Sequence, residues 1–449
     1  NAVQAKVTDA NGNVVPSVAV TFAANNGATI TTTSANTDEN GVATTTLTNI
    51  TAGISKVTAT INGHSQSVDT TFVADGGTAT IVNGDLTITI DHAVANGTDT
   101  NAVQAKVTDA NGNVVPSVAV TFTANNGATI TNASANTDEN GLAATTLTNI
   151  TAGISKVTAT VNGHSQTVDT TFVADGGTAT IVNGDLTITT DNAVADGTDT
   201  NAVQAKVTDA NGNVVPNVAV TFTANNGATV TTASAMTGSN GLASTTLTNT
   251  KTGISRVSAA INSTSQSVDT TFIADGGTAT IIDGNLTVTT NNAKADGADT
   301  NAVQAKVTDA NGNVVTNVSV SFIADNGATV TSTSATTNQQ GLATTTLTNT
   351  TSGVSKVTAK INGHSQTVDT TFVADGGTAT IVNGDLTVII DNAVANGTDT
   401  NAVQAKVTDA NGNVVPSVAV TFAANNGATI TTASANTDEN GIATTTLTN

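Results

Sequence analysis

The chain has 449 residues and a formal net charge of −21, with 12 basic residues against 33 acidic ones. That charge argues against binding nucleic acid or adsorbing directly to anionic lipid. Cysteine, tryptophan and tyrosine are absent, so disulfides, thiolate zinc sites and cysteine nucleophiles cannot form.

The sequence repeats every 100 residues: Asn1-Ala2-Val3-Gln4-Ala5-Lys6-Val7-Thr8-Asp9 returns unchanged at Asn101, Asn201, Asn301 and Asn401. A unit of that length is the size of an independent domain, longer than the repeats of a solenoid. Within the frame 76–175, the segments Thr78 to Ile81 and Asp85 to Ile90 read as a broken first strand. Val103, Ala105 and Val107 then point inward, with Gln104, Lys106 and Thr108 outward, the two-residue period of a half-buried strand. Asp109-Ala110-Asn111-Gly112-Asn113 supplies hairpin-turn chemistry. Val118, Val120 and Phe122 form the next inward face, Asn125-Asn126-Gly127 breaks the chain, and Ala128 to Ala133 reads as a short strand. After the turn Glu139-Asn140-Gly141, the strand bearing Ala143, Thr145 and Leu147 has Thr145 as its weak inward member. Val157, Ala159 and Val161 alternate again, Asn162-Gly163 turns the chain, and Val168, Thr170 and Phe172 close the unit.

About seven short strands separated by Gly, Asn and Asp turns predict an all-β antiparallel sandwich. Its core is small and gathers around two phenylalanines such as Phe122 and Phe172. Unit boundaries are expected at Ala-Asp-Gly-Gly, residues 74–77, 174–177, 274–277 and 374–377. The chain divides on this basis into 1–75 (lacking a first strand), 76–175, 176–275, 276–375 and 376–449 (lacking the last strands). The last piece is expected to be the least stable. Starting and ending inside a repeat is what a fragment of a longer protein would do. The connections are short, so adjacent units are expected to touch and bend only moderately.

These residues resemble the bacterial Ig-like domain group 1, the repeat of the intimin and invasin adhesins, or inverse autotransporters. The resemblance is carried by Ala195-Asp196-Gly197-Thr198-Asp199-Thr200, by Val207 to Pro216, and by Val220-Thr221-Phe222. It continues through Asn240-Gly241-Leu242-Ala243, Leu247-Thr248, Thr252-Gly253 and Val257-Ser258-Ala259, and it runs the length of the chain. Thr316 in place of proline, Lys251-Thr252, and Gly238-Ser239 depart from the other copies only in turns. The resemblance implies tandem immunoglobulin-like sandwiches forming an extended rod. They would project from a barrel in the bacterial outer membrane toward a lectin-like adhesive tip, with no catalytic residues. A chain that crosses an outer-membrane pore unfolded would gain from lacking disulfides.

No constellation points to an enzyme. His64, His164 and His364 share one position that is Thr264 in another copy, and His92 is replaced by Asn192, Asn292 and Asn392. No histidine pair has metal-ligand spacing, so these are read as exposed turn or strand residues. Asp109-Ala110-Asn111-Gly112-Asn113 alternates oxygen side chains as calcium loops do, but it lacks the closing bidentate acid. Asp175, Asp185, Asp191 and Asp196 could gather calcium at a junction, although Asn285 and Asn291 replace two of them in the next copy. An isopeptide bond would need Lys106 buried beside Asn and an acid, whereas the alternation turns it outward. Asn96-Gly97-Thr98 and Asn149-Ile150-Thr151 match a glycan acceptor pattern by chance in a Thr/Asn-rich chain. No catalytic, cofactor or metal residue is assigned. The expected partners are neighbouring units and, through a tip outside this chain, a host glycan or protein. The expected function is a cell-surface stalk. The alternative is that the repeats themselves bind host glycan or matrix protein multivalently, without the aromatic platforms that usually stack sugars.

Overall fold

The computed structural model describes residues 1–449, and outside two single 3-10 turns every element is a β-strand. Residues 86–173 show the plan of a whole unit. One sheet orders its strands Thr129–Ile130, Leu142–Thr148, Asn101–Lys106 and Leu86–Ile90, all antiparallel. The facing sheet runs Ser134–Asn136, Ala119–Ala124, Gly153–Val161, His164–Val173 and Ala93–Val94. Its last pairing is parallel, with Phe172 opposite Ala93 and Val173 opposite Val94.

The chain changes sheets between Ile90 and Ala93. The Asp91 carboxylate accepts from the Thr170 hydroxyl and the Thr171 N–H, both at 2.7 Å, which ties this bend to the last strand. His92 sits in the left-handed region (φ 63°), as do Asn192, Asn292 and Asn392. Asparagine tolerates that conformation well, which fits its occupying this position in three of the four copies.

Sixteen buried residues form the core of this unit, among them Val103, Val120, Phe122, Val157 and Phe172. The units around Phe222 and Phe322 have cores of the same size, whereas the first and last units have six and five buried core residues. In the last unit Leu386 and Val388 are each 60% exposed, while Leu286 is 6% exposed.

Several sequence expectations need correction. The segment 78–81 forms no strand and contributes a single bridge from Thr80 to Thr108. Thr108 is buried, not outward, because it bridges Thr80 on one side and Val114 on the other. The expected strand 128–133 splits into Thr129–Ile130 and Ser134–Asn136. Thr145 accounts for the gap: it is buried, and its hydroxyl donates to the Asn132 carbonyl at 2.9 Å and accepts from the Asn132 N–H at 3.3 Å. A side chain thus satisfies the peptide left without a ladder partner. Val118 and Val168 are half-buried, not full core members.

Candidate functional site

The strongest convergence of polar side chains lies at the junctions between units, and the turn at Asp109 builds it. Asp109 Oδ1 accepts from the N–H groups of Asn111 (2.9 Å) and Asn113 (2.8 Å), while Oδ2 accepts from the Asn113 side-chain amide (2.8 Å). These bonds close the turn locally. The remaining acceptor direction of Oδ2 receives the Asp75 N–H at 3.1 Å, so the carboxylate also holds the connecting segment from the preceding unit.

Asn113 is oriented by that carboxylate and reaches across the junction. Its Oδ1 accepts from the Ala52 N–H and its Nδ2 donates to the Ile50 carbonyl, both at 2.8 Å. One amide thereby pairs a donor and an acceptor of a loop in the preceding unit. The same two bonds recur from Asn213 to Ala152 and Ile150 (2.8 and 2.9 Å). They recur from Asn313 to Thr252 and Thr250 (3.1 and 3.0 Å) and from Asn413 to Ser352 and Thr350 (2.8 and 3.0 Å). A further strut appears at three junctions, where the side chains of Asn211, Asn311 and Asn411 donate to the carbonyls of Ala95, Ala195 and Ala295 at 2.9, 3.0 and 2.8 Å. No side-chain hydrogen bond spans more than the 116 residues of these struts, so units bond only to sequence neighbours.

Two further contacts fix the connection. Asn162 Nδ2 donates to the carbonyls of Gly76 (2.8 Å) and Ala79 (3.2 Å), pinning the connecting segment to the hairpin tip of the unit that follows it. At the last junction Lys294 Nζ lies 3.1 Å from Asp375 Oδ1, a pair that Val94 and Val194 cannot make.

Asp109, Asp209, Asp309 and Asp409 are only 3–4% exposed. Burial pushes the carboxyls of Asp109, Asp209 and Asp409 up, but the Asn side chain, the connecting N–H and the turn N–H groups outweigh it and hold each below the ordinary carboxylate value. Asp9 is exposed; there the Asn13 side chain, then the Asn13 N–H, lower the carboxyl.

Apolar clefts open beside two junctions. One of about 570 Å³ is lined by Phe72, Val73, Val114, Pro116, Val118 and Glu139. Its counterpart of about 430 Å³ holds Phe372, Val373, Pro416 and Glu439. At the intervening junctions Ser239 and Gln339 occupy the glutamate position.

The other candidates from the sequence are dispersed. His64, His164 and His364 are exposed at the start of their strands. Asp175 caps the Gly177 N–H, Asp191 accepts from Thr270 and Thr271, and Asp196 accepts from Thr198 and Asp199. The half-buried Asp185 contributes its carbonyl to the Lys206 N–H. No three His, Asp or Glu side chains converge into a group that could hold a metal ion. Lys106 is exposed on its strand. Asn149 is buried, donating to the Asn126 carbonyl and to Ser155 Oγ, so a glycan has no access to its amide in the folded unit. Asn96 uses its side-chain oxygen to cap Thr98 and Asp99.

Sequence reasoning identified Asp109 to Asn113 as a turn and missed its reach across the junction. One signal was present. A hairpin needs Asn-Gly, yet Asn13, Asn113, Asn213, Asn313 and Asn413 recur after it in every copy.

The family model of the bacterial Ig-like domain (group 1) matches residues 1–73, 83–173, 183–273, 283–373 and 383–449. Among solved structures, the chain is similar to invasin, described as a bacterial integrin-binding protein. That match has 24% identity over 74% of this chain and 67% of that one, with a TM-score of 0.41. It is similar to the Escherichia coli adhesin FdeC at 21% identity over 68% of this chain and all of that one, with a TM-score of 0.48. It is also similar to Yersinia pseudotuberculosis InvD at 16% identity over 66% and 98%, with a TM-score of 0.45. No curated protein matches the sequence.

Proposed function

The chain belongs to the bacterial Ig-like domain (group 1) family, and from that membership we propose that it is the stalk of a bacterial surface adhesin, a non-enzymatic spacer that holds an adhesive tip away from the outer membrane. The observation that carries this proposal is the junction. The Asn113-type bridge and the Asp109-type hold on the connecting segment are built four times from the same residues. A spacer needs each joint to resist bending, and paired donors and acceptors fix direction in a way that apolar contact alone does not.

Strands of up to ten residues give a sandwich roughly 30–40 Å long, so the array reaches on the order of 150 Å. The net charge of −21 adds mutual repulsion between units and favours the outstretched form. A host glycan or protein would be engaged by a domain beyond this chain. The junction clefts beside Phe72 and Phe372 are where direct binding by the repeats would occur.

Solution scattering combined with a binding screen on host cells and matrix tests the proposal. An elongated particle without affinity supports the spacer. Affinity that climbs steeply with repeat number would replace it with a multivalent binder.

A further inference from the structure

A cluster of hydrogen bonds ties the beginning of each whole unit to its end, and none of these bonds crosses a junction. In residues 176–275 the segment Asp191 to Ala195 lies along the last strand, with Ala193–Val194 parallel to Phe272–Ile273. Asp191 Oδ1 accepts from the Thr270 hydroxyl and the Thr271 N–H, both at 2.7 Å. The Asn192 N–H donates to the Thr271 carbonyl at 3.1 Å, and the Ala195 N–H donates to the Ile273 carbonyl at 2.8 Å. Asn201 is fully buried and completes the set: its Oδ1 accepts from the Ala193 N–H and its Nδ2 donates to the Thr271 carbonyl, both at 2.9 Å. The same side-chain contacts recur at Asp91 with Asn101 and at Asn291 with Asn301.

We propose that this cluster is a mechanical clamp, which keeps a unit folded when the chain is pulled through its ends. That is a load-bearing function separate from aiming one unit at the next, and it rests on the spacer reading for the source of the load. Tension reaches the unit through the connecting segment, upstream of Ala193, and leaves it downstream of Ile273. It therefore draws Ala193–Val194 back toward its beginning and Phe272–Ile273 on toward its end. Parallel neighbours drawn in opposite senses must slide past each other, so their cross-ties are loaded together. An antiparallel hairpin pulled at its open end would instead lose its bonds one at a time. Upstream of the cluster stands only the edge strand Leu186–Thr190, which pairs with Ala202 to Ala205 and is interrupted by a register shift.

The copies show what the clamp requires at its first residue. Asn291 replaces the aspartate in residues 276–375, and its Oδ1 accepts from the Thr370 hydroxyl and the Thr371 N–H at 2.9 and 2.8 Å. These are the bonds of Asp91 and Asp191 without the charge that strengthens them. In that copy Lys294 Nζ lies 3.1 Å from Asp375 Oδ1, joining the strand Ala293–Lys294 to the segment that follows Val373. A charge absent from one side of the clamp is matched there by an ion pair on the other.

Extension of the whole chain at constant force, held at its two ends, tests the proposal. A unit with a full core releases about 330 Å of extended chain and the two end segments about 250 Å each, so step size separates them. Asp191→Ala should shorten the lifetime of one full unit roughly tenfold, the effect of losing the acceptor of two bonds. Asp191→Asn should recover most of that loss, because Asn291 makes the same bonds. Thr245→Val removes a hydroxyl that serves the Thr232 peptide in both directions, on a strand that touches neither Ala193–Val194 nor Phe272–Ile273 in its sheet. It should lower stability toward denaturant and leave the lifetime under load within about twofold. Lifetimes unmoved by Asp191→Ala, no recovery with Asp191→Asn, or equal shortening by Thr245→Val would overturn the clamp. An elongated chain without affinity would still stand as a spacer in each of those cases, so the two readings fail separately.

Discussion

Asp9 and Asp209 lie in the same nine residues, Ala-Lys-Val-Thr-Asp-Ala-Asn-Gly-Asn, and fold the same turn in different surroundings. Around Asp9 the carboxylate closes its own turn and faces solvent. Around Asp209 it also holds the Asp175 N–H at 3.0 Å, is 4% exposed, and aims Asn213 at the loop Ile150 to Ala152. Thr8 is exposed where Thr208 is buried, because Thr208 bridges Thr180 as well as Val214 while Thr8 bridges Val14 alone. The turn's shape is therefore local, and its function as a joint comes from residues 34 to 116 positions away.

The largest effect should come from removing a core that carries two joints. Phe222→Ala is expected to cost about 3–5 kcal/mol and to strip hydrogen-exchange protection from 176–275 and from the Asn213 and Asn313 bridges, leaving the turn at Asp9 as it was. Loss at Asp9 as well would mean that the units do not fold independently.

Asp209→Ala orphans four N–H donors and should cost on the order of 2–4 kcal/mol. Asp9→Ala should cost clearly less, because water replaces the lost acceptor. Equal losses, measured by chemical denaturation with exchange resolved by unit, would erase the distinction between the two turns. Asn213→Ala leaves the Ile150 carbonyl and the Ala152 N–H unpaired and should cost about 1–3 kcal/mol. Asn13→Ala, at a residue with no partner across a junction, should barely register.

Acid should act in the same direction at each clasp whose carboxyl is held low. For Asp109, Asp209 and Asp409 the folded pKa lies below the unfolded value of about 3.9, so their contribution is complete above that pH and disappears as pH falls through the folded value. Junction protection should thus be flat from neutrality down to about pH 5 and fall below about pH 4. A loss centred near neutral pH would point to other groups. The smallest effect is expected from calcium: the oxygens of Asp209 are already filled by N–H donors, so thermal midpoints in chelator and in millimolar calcium should coincide.

Much of the unit was legible because its signals are short-range. Val103, Val120, Val157 and Phe172 each stand two residues from another inward residue of their strand, and all four are core residues. The parts that escaped depend on partners distant in sequence. Ala93–Val94 is too short to show a period, and its place beside Phe172 follows from the Asp91 bend. The gap at 131–133 exists because Thr145, thirteen residues from Asn132, supplies a hydroxyl where a ladder bond would be. Thr108 follows the outward alternation in sequence but is covered by Thr80. The clasp was hidden because its turn is complete without the neighbouring unit, and only the recurrence of Asn113 after Asn-Gly hinted at another function.

If a polar clasp fixes the direction of each unit relative to the one before it, the second junction should hold its two units at one separation. Spin labels on introduced cysteines at Thr167 and Ser267, exposed strand positions on either side of the second junction in a chain with no native cysteine, measure that directly. A single narrow distance distribution that broadens on Asn213→Ala is the expected result. A distribution already broad in the unmodified junction, or one that Asn213→Ala leaves unchanged, would contradict it.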